Sequence, residues 1–237
     1  MTRSSPSSAP ALTEAALIVF AKPPVPGQVK TRLVPALTPA DAAHLYEAFL
    51  RDALVQYTGL GVHVRLYWAS PADDVAADIV PESVAVRLQQ GDDLGSRMRN
   101  AFRETLEGGA ERAVIIGTDH PTLPTAFIQQ AFTGLREPEA ISIGPSADGG
   151  YYLLGMNAFY PQLFAGMRYS HGAVFSETLK RAGQTEAQIT VLPRWYDVDT
   201  PVALRRCLND LSAEATEAPR TRRALHEINL ERVEASS

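Results

Sequence analysis

Short apolar runs recur along the chain, separated by stretches in which apolar residues return every three or four positions. ALIVFA at Ala16–Ala21 and AVIIG at Ala113–Gly117 read as β-strands, as do His63–Ala69, Val84–Leu88, Ala140–Gly144, Tyr151–Gly155 and Ile189–Leu192. Several are continuous and β-branched rather than alternating, the pattern of strands buried on both faces of a parallel sheet. The clearest helix opens at Thr38-Pro39, an N-cap followed by a proline whose missing N–H costs nothing at the first helical position. Leu45, Phe49 and Ala53, with Tyr46, Leu50 and Leu54 beside them, continue it as an apolar stripe. Further helices are predicted at about Leu94–Leu106, Thr125–Leu135, Val174–Ala182, Val202–Leu211 and Arg220–Arg232.

Strands alternating with helices imply right-handed βαβ units. The expected fold is therefore a single α/β domain, Rossmann-like, with a mostly parallel central sheet and helices on both faces. The domain is expected over 15–232. Residues 1–14 are Ser/Pro-rich and aperiodic and read as a disordered tail, and 233–237 as a frayed one. No internal repeat is present. In open α/β sheets ligands bind at the carboxyl ends of the strands, so the residues just after each strand carry the candidate chemistry.

Composition removes several classes of function. The chain has 237 residues, 45% hydrophobic and 21% charged, enough apolar material for one sizeable core. A formal net charge of −5 argues against a nucleic-acid-coating surface while leaving room for a local basic site. The single cysteine, Cys207, excludes an internal disulfide and an all-cysteine metal site; with Leu204, Leu208 and Leu211 at helical spacing it reads as core. No apolar run reaches the roughly 18 residues of a membrane span, and Ala15–Ala21 reads as a strand rather than a signal sequence. The expected location is cytoplasmic.

After the first strand, FAKPPVPGQVKTRL supplies Lys22, Lys30, Thr31 and Arg32, a hydroxyl and three cations that suit phosphate oxygens. Neither a Walker A loop nor G-x-G-x-x-G occurs there. After AVIIG comes TDHP, whose Asp119 can reach the ligand crevice as a hard oxygen ligand for Mg²⁺ or Mn²⁺. DVDTP adds Asp197 and Asp199 before a helix started by Thr200-Pro201. It departs from the aspartyl-phosphate motif D-x-D-x-[TV] at Pro201. In ADGGYYLLG, Asp148 with Gly149 and Gly150 reads either as a substrate-binding turn, with glycines allowing close backbone approach, or as a plain β-turn between strands. GDDLGSRM opens a helix on which Asp92 or Asp93 is an N-cap candidate and Arg97 a further anion candidate. His120 and His171 are candidate catalytic bases, although a lone histidine is more often structural or exposed, and neither is assigned a role. No G-x-S-x-G, H-E-x-x-H or paired C-x-x-C is present, so serine-hydrolase and zinc chemistries have no foothold.

In this order, LIVFAKPPVPGQVKTRL, GDDLGSRM, IIGTDHPTLP, GPSADGGYYLLG and DVDTP resemble the nucleotide-diphospho-sugar transferase superfamily with the GT-A fold over about residues 16–208. The nearer resemblance is to bacterial glycosyltransferases associated with radical-SAM genes and arsenosugar-type pathways. A more distant one is to the 2-phospholactate and molybdenum-cofactor guanylyltransferases. The resemblance implies Lys22, Lys30, Thr31 and Arg32 at nucleotide phosphates; by position, Arg97 is a candidate for the same anion, and Asp148, Gly149 and Gly150 are candidates at substrate. It implies Mg²⁺ or Mn²⁺ on Asp119 and Asp199, with Asp197 a further metal candidate, and Lys30, Arg32 and Asp119 acting in catalysis. The implied partners are a nucleotide or sugar nucleotide and a small-molecule acceptor, without nucleic acid or membrane. Two departures, Ser170-His171-Gly172 and His120, fall on the acceptor side. Glycosyl transfer, nucleotidyl transfer with release of pyrophosphate, and non-catalytic nucleotide binding all remain open.

Overall fold

The computed structural model describes residues 15–34, 36–72, 78–169, 171–212 and 218–228. The predicted tails lie outside these residues, as does the end of the last predicted helix. Among these residues seven strands form one sheet in the order β3-β2-β1-β4-β6-β5-β7. They are β1 (Ala15–Ala21), β2 (His63–Trp68), β3 (Ala85–Leu88), β4 (Arg112–Ile116), β5 (Ala140–Pro145), β6 (Tyr151–Met156) and β7 (Gln188–Val191). The helices are α1 (Pro39–Thr58), α2 (Leu94–Glu107), α3 (Thr125–Gly134), α4 (Val174–Ala182), α5 (Pro201–Ser212) and α6 (Pro219–Glu227).

Successive residues of a strand point to opposite faces, and the packing follows that rule. On one face Leu17 and Val19 of β1 and Val114 and Ile116 of β4 pack with Leu50, Leu54 and Tyr57 of α1 and Ile128 of α3. On the other, Ile18 and Ile115 pack with Met98 and Phe102 of α2. A second stripe of α1, Leu45 and Phe49, meets Val198, then Leu204 and Cys207 of α5 and Leu225 of α6. Cys207 is fully buried, as its spacing predicted. Thr38 caps α1, its hydroxyl accepting from the Asp41 amide at 3.1 Å.

Two features depart from a uniformly parallel, buried sheet. β6 runs antiparallel to both β4 and β5. β3 is exposed along its length because it lies at an edge with only β2 as a neighbour. From β1 the chain crosses to β2 and β3 on one side, and β4 then lies on the other. The crevice between the carboxyl ends of β1 and β4 is the switch point at which such sheets bind ligands.

Candidate active site

Lys22 follows β1 directly, and Gly117-Thr118-Asp119-His120 follows β4. Both line a cleft of about 880 Å³ at that switch point. The third segment arrives from β7. Trp195 donates its amide to Pro145 O at 3.0 Å, and Val198 donates to Asp119 O at 2.7 Å. The second bond ties the DVDTP segment to the end of β4 and brings Asp199 beside Asp119.

Lys30 joins the two carboxylates. Its Nζ lies 2.6 Å from Asp119 Oδ1 and 2.8 Å from Asp199 Oδ1. The lysine side chain is 3% exposed, while those of Asp119 and Asp199 are 42% and 39% exposed. The ammonium also sits 5.9 Å from the ring centroid of Tyr46 and 5.6 Å from that of Phe49. Burial alone pulls the Lys30 pKa down, but the charges and hydrogen bonds of Asp119 and Asp199 outweigh it and hold the ammonium above the usual lysine value. Its backbone is left-handed, with φ 48° and ψ 34°, a conformation that costs a non-glycine residue about 1–2 kcal/mol and persists only where the surroundings enforce it.

Lys22, Thr31 and Arg32 are exposed and line the same cleft. Arg97 lines it too, from the first turn of α2, donating through Nε to Gly91 O at 3.0 Å. Asp93 is the N-cap of α2, in a reciprocal capping box with Ser96. Across the cleft, Asp148 and Gly150 belong to a turn linking β5 to β6, in which Asp148 Oδ1 accepts from the Gly150 amide at 2.9 Å. DGG is therefore the β-turn between β5 and β6, and it walls the cleft. Gly149 has φ +90°, and a Cβ there would lie 2.1 Å from Gly172 O. The close approach is to the chain's own backbone.

The third predicted carboxylate, Asp197, is not brought to the Asp119–Asp199 pair. Its Oδ2 accepts from Ser146 Oγ at 2.7 Å and its Oδ1 lies 3.5 Å from His120 Nδ1. Burial pushes the Asp197 pKa up, but His120, the Ser146 hydroxyl and the Lys30 charge together leave it below the usual carboxylate value. Spacing pointed to neither the Asp197–Ser146–His120 cluster nor Tyr46. The Tyr46 hydroxyl accepts from the Lys22 amide at 3.0 Å and from Thr118 Oγ1 at 3.3 Å. In the sequence it is one more apolar position of the α1 stripe. Burial, and then the Asp119 charge, push its phenol up to about 12, so it stays neutral.

No group of three or more His, Cys, Asp or Glu side chains suited to a metal occurs among the described residues. Asp119 and Asp199 converge, and an oxygen of each faces one cation at the cleft. An all-oxygen, partly exposed pair fits a hard divalent ion that keeps its remaining positions for water and phosphate oxygens, as Mg²⁺ does. Among the described residues no helix is long and apolar enough to cross a membrane.

The mostly parallel sheet, with β6 antiparallel within it, and a polar cleft at the switch point define a GT-A-like α/β fold. The chain belongs to the bacterial family DUF2064, described as uncharacterized and conserved in bacteria, whose profile matches residues 40–171. No curated protein matches it. A Desulfovibrio desulfuricans G20 protein provisionally named a nucleotide-diphospho-sugar transferase superposes with a TM-score of 0.87 at 31% identity, over 94% of this chain and 97% of that one. A 4-diphosphocytidyl-2C-methyl-D-erythritol synthase superposes with a TM-score of 0.54 at 12% identity, over 83% and 97% of the two chains. Rv0371c of Mycobacterium tuberculosis H37Rv, in complex with manganese, gives 0.50 at 20% identity, over 84% and 100%. The last two likenesses are of fold.

Proposed function

We propose that the protein is a Mg²⁺- or Mn²⁺-dependent transferase acting on a nucleotide-diphospho-sugar donor, a glycosyltransferase of the type its motifs resemble. One observation carries the reading: a carboxylate pair and a set of cations, drawn from the ends of separate strands, face one switch-point cleft. Asp119 and Asp199 would hold the metal, which when bound neutralises phosphate charge as a bond to phosphate oxygen breaks. Lys22, Thr31 and Arg32 grip the phosphates, and Arg32 and Lys30 stabilise charge on the departing diphosphate. Arg97 lies on the same cleft and serves the same anion. Asp148, with Gly149 and Gly150 shaping its turn, orients the sugar or the acceptor. The manganese in the Rv0371c complex and the name of the Desulfovibrio relative support this reading.

A second reading is nucleotidyl transfer, in which a phosphorylated acceptor attacks the α-phosphate of an NTP and pyrophosphate leaves. Its support is the K-T-R segment, since exposed Thr31 and Arg32 beside Lys22 suit a triphosphate as well as a diphosphate. Incubation with Mg²⁺, NTPs or sugar nucleotides, and hydroxylated or phosphorylated acceptors separates the two by mass spectrometry. Nucleoside diphosphate released from a sugar nucleotide supports the first, and pyrophosphate released from an NTP overturns it. Asp119→Asn and Asp199→Asn are each expected to weaken Mg²⁺-dependent nucleotide binding at least tenfold. Unchanged affinity in both removes the metal assignment.

A further inference from the structure

Lys30 is a candidate phosphate ligand and Asp119 and Asp199 are candidate metal ligands, yet Lys30 is bonded to both carboxylates. We propose that Lys30 makes this site selective for metal-chelated di- or triphosphate over either free metal or free phosphate. The proposal rests on the function proposed above and goes beyond it in naming which form of the ligand the site admits.

Charge balance gives the reason. The two carboxylates and one ammonium sum to −1, and the ammonium is buried. A divalent cation arriving alone competes with Lys30, which holds each carboxylate through Oδ1, and so weakens the pairing of a buried ammonium beside a dication, which is strongly unfavourable. A polyphosphate arriving alone finds the ammonium already engaged and two partly exposed carboxylates facing it. With both present, Asp119 and Asp199 would hold the metal and the Lys30 ammonium would pair with phosphate oxygens. Every charge then keeps a partner.

Three further observations fit. Among the described residues two carboxylates face the metal position, because Asp197 is engaged by Ser146 and lies against His120, so further ligands would come with the phosphate or from water. The rings of Tyr46 and Phe49 lie against the ammonium, and burial bars it from swinging into bulk solvent. The cleft side, where Lys22, Thr31 and Arg32 are exposed, is where a new anionic partner can come from. Rejection of the wrong ligand through a charge left unpaired is a general route to specificity.

Binding of Mn²⁺, followed by the loss of the free-ion EPR signal, and of pyrophosphate, followed by calorimetry, tests this once Mn²⁺–pyrophosphate association in solution has been accounted for. In the wild-type protein each ligand is expected to bind weakly alone and to tighten the other by the same factor, tenfold or more. Lys30→Gln should bind Mn²⁺ alone at least tenfold more tightly than wild type and retain less than twofold coupling. Asp199→Asn, which leaves Lys30 one carboxylate, should bind metal-free pyrophosphate at least threefold more tightly although it loses metal. If wild-type protein binds both ligands with less than twofold coupling, or if Lys30→Gln folds and binds Mn²⁺ no more tightly, the proposal is overturned while the metal and phosphate site stands. If wild-type protein binds neither ligand, alone or mixed, the proposed function fails and this proposal with it. Should Lys30→Gln not fold, the wild-type coupling and the Asp199→Asn variant decide.

Discussion

Gly149→Ala should be among the most damaging single-methyl additions in the cleft wall. At φ +90° an L residue is strained, at a cost of about 1–2 kcal/mol. The new Cβ would also meet Gly172 backbone, with O at 2.1 Å, C at 2.6 Å and Cα at 2.7 Å. Unlike a side-chain tip, a backbone can yield only by moving its loop, and overpacking of that kind costs a further ~1–3 kcal/mol. The expected sum is about 3 kcal/mol, which for a chain of this length lowers Tm by roughly 6–12 °C. Gly27→Ala isolates the strain: φ there is +78°, and nothing lies within 4 Å of the built Cβ. It should cost about 1 kcal/mol. Gly150→Ala meets only the Asp148 side chain, at 3.2 Å, and should cost less than either. Urea unfolding followed by circular dichroism and tyrosine fluorescence, with coincident midpoints as the two-state check, gives the three values. A Gly149→Ala cost within about 0.5 kcal/mol of Gly27→Ala would refute the claim that the DGG turn is locked against the 171–172 backbone.

Asp52 is buried and accepts from the Arg220 and Thr221 amides at 3.2 and 2.7 Å, satisfying the start of α6 from a distant helix. Asp52→Ala should cost about 3 kcal/mol and raise hydrogen exchange in α6 before the rest of the chain. Cys207 has its thiol pushed up to about 12, first by burial and then by the Asp210 charge, so at pH 8 it should resist iodoacetamide and react only as fast as the protein unfolds. Because its folded value lies above the unfolded one, the protonated thiol favours the native state. That contribution is complete below an unfolded pKa of roughly 8.5 and is lost as pH rises from there toward the folded value. Rapid alkylation of the native protein at pH 8 would show the site to be open.

The strands were legible because their signal is local. Each of the seven predicted runs lies within one or two residues of an observed strand, since a run such as ALIVF has few ways to avoid burial. Thr38-Pro39 was equally readable, because a cap and its first turn involve only neighbours. What local pattern did not carry was place in the sheet. β3 is exposed because no strand lies beyond it among the described residues, and that depends on the whole topology. The direction of β6 was within reach: five residues containing Asp-Gly-Gly separate β5 from β6, too few for a parallel crossover of a dozen or more.

The site divides along the same line. Residues at the ends of β1 and β4 could be chosen in advance because the switch-point rule needs only strand order. The division of labour among them could not, because it depends on pairing across the chain. Lys22, Lys30 and Arg32 look alike as three cations in one loop, yet Lys30 alone among them is buried and bonded to a carboxylate 169 residues away. Its partner Asp199 is held beside Asp119 by the Val198–Asp119 backbone bond, which no side-chain motif encodes. Asp197, two residues earlier, accepts from Ser146 instead, a separation that period-2 alternation does not give, since residues two apart on an extended segment share a side. DVDTP thus supplies one carboxylate to the Lys30 cluster and one to the His120 side, so its two aspartates should respond differently to substitution. Loss of Asp199 should act through metal and phosphate binding, and loss of Asp197 through the setting of Ser146 and His120.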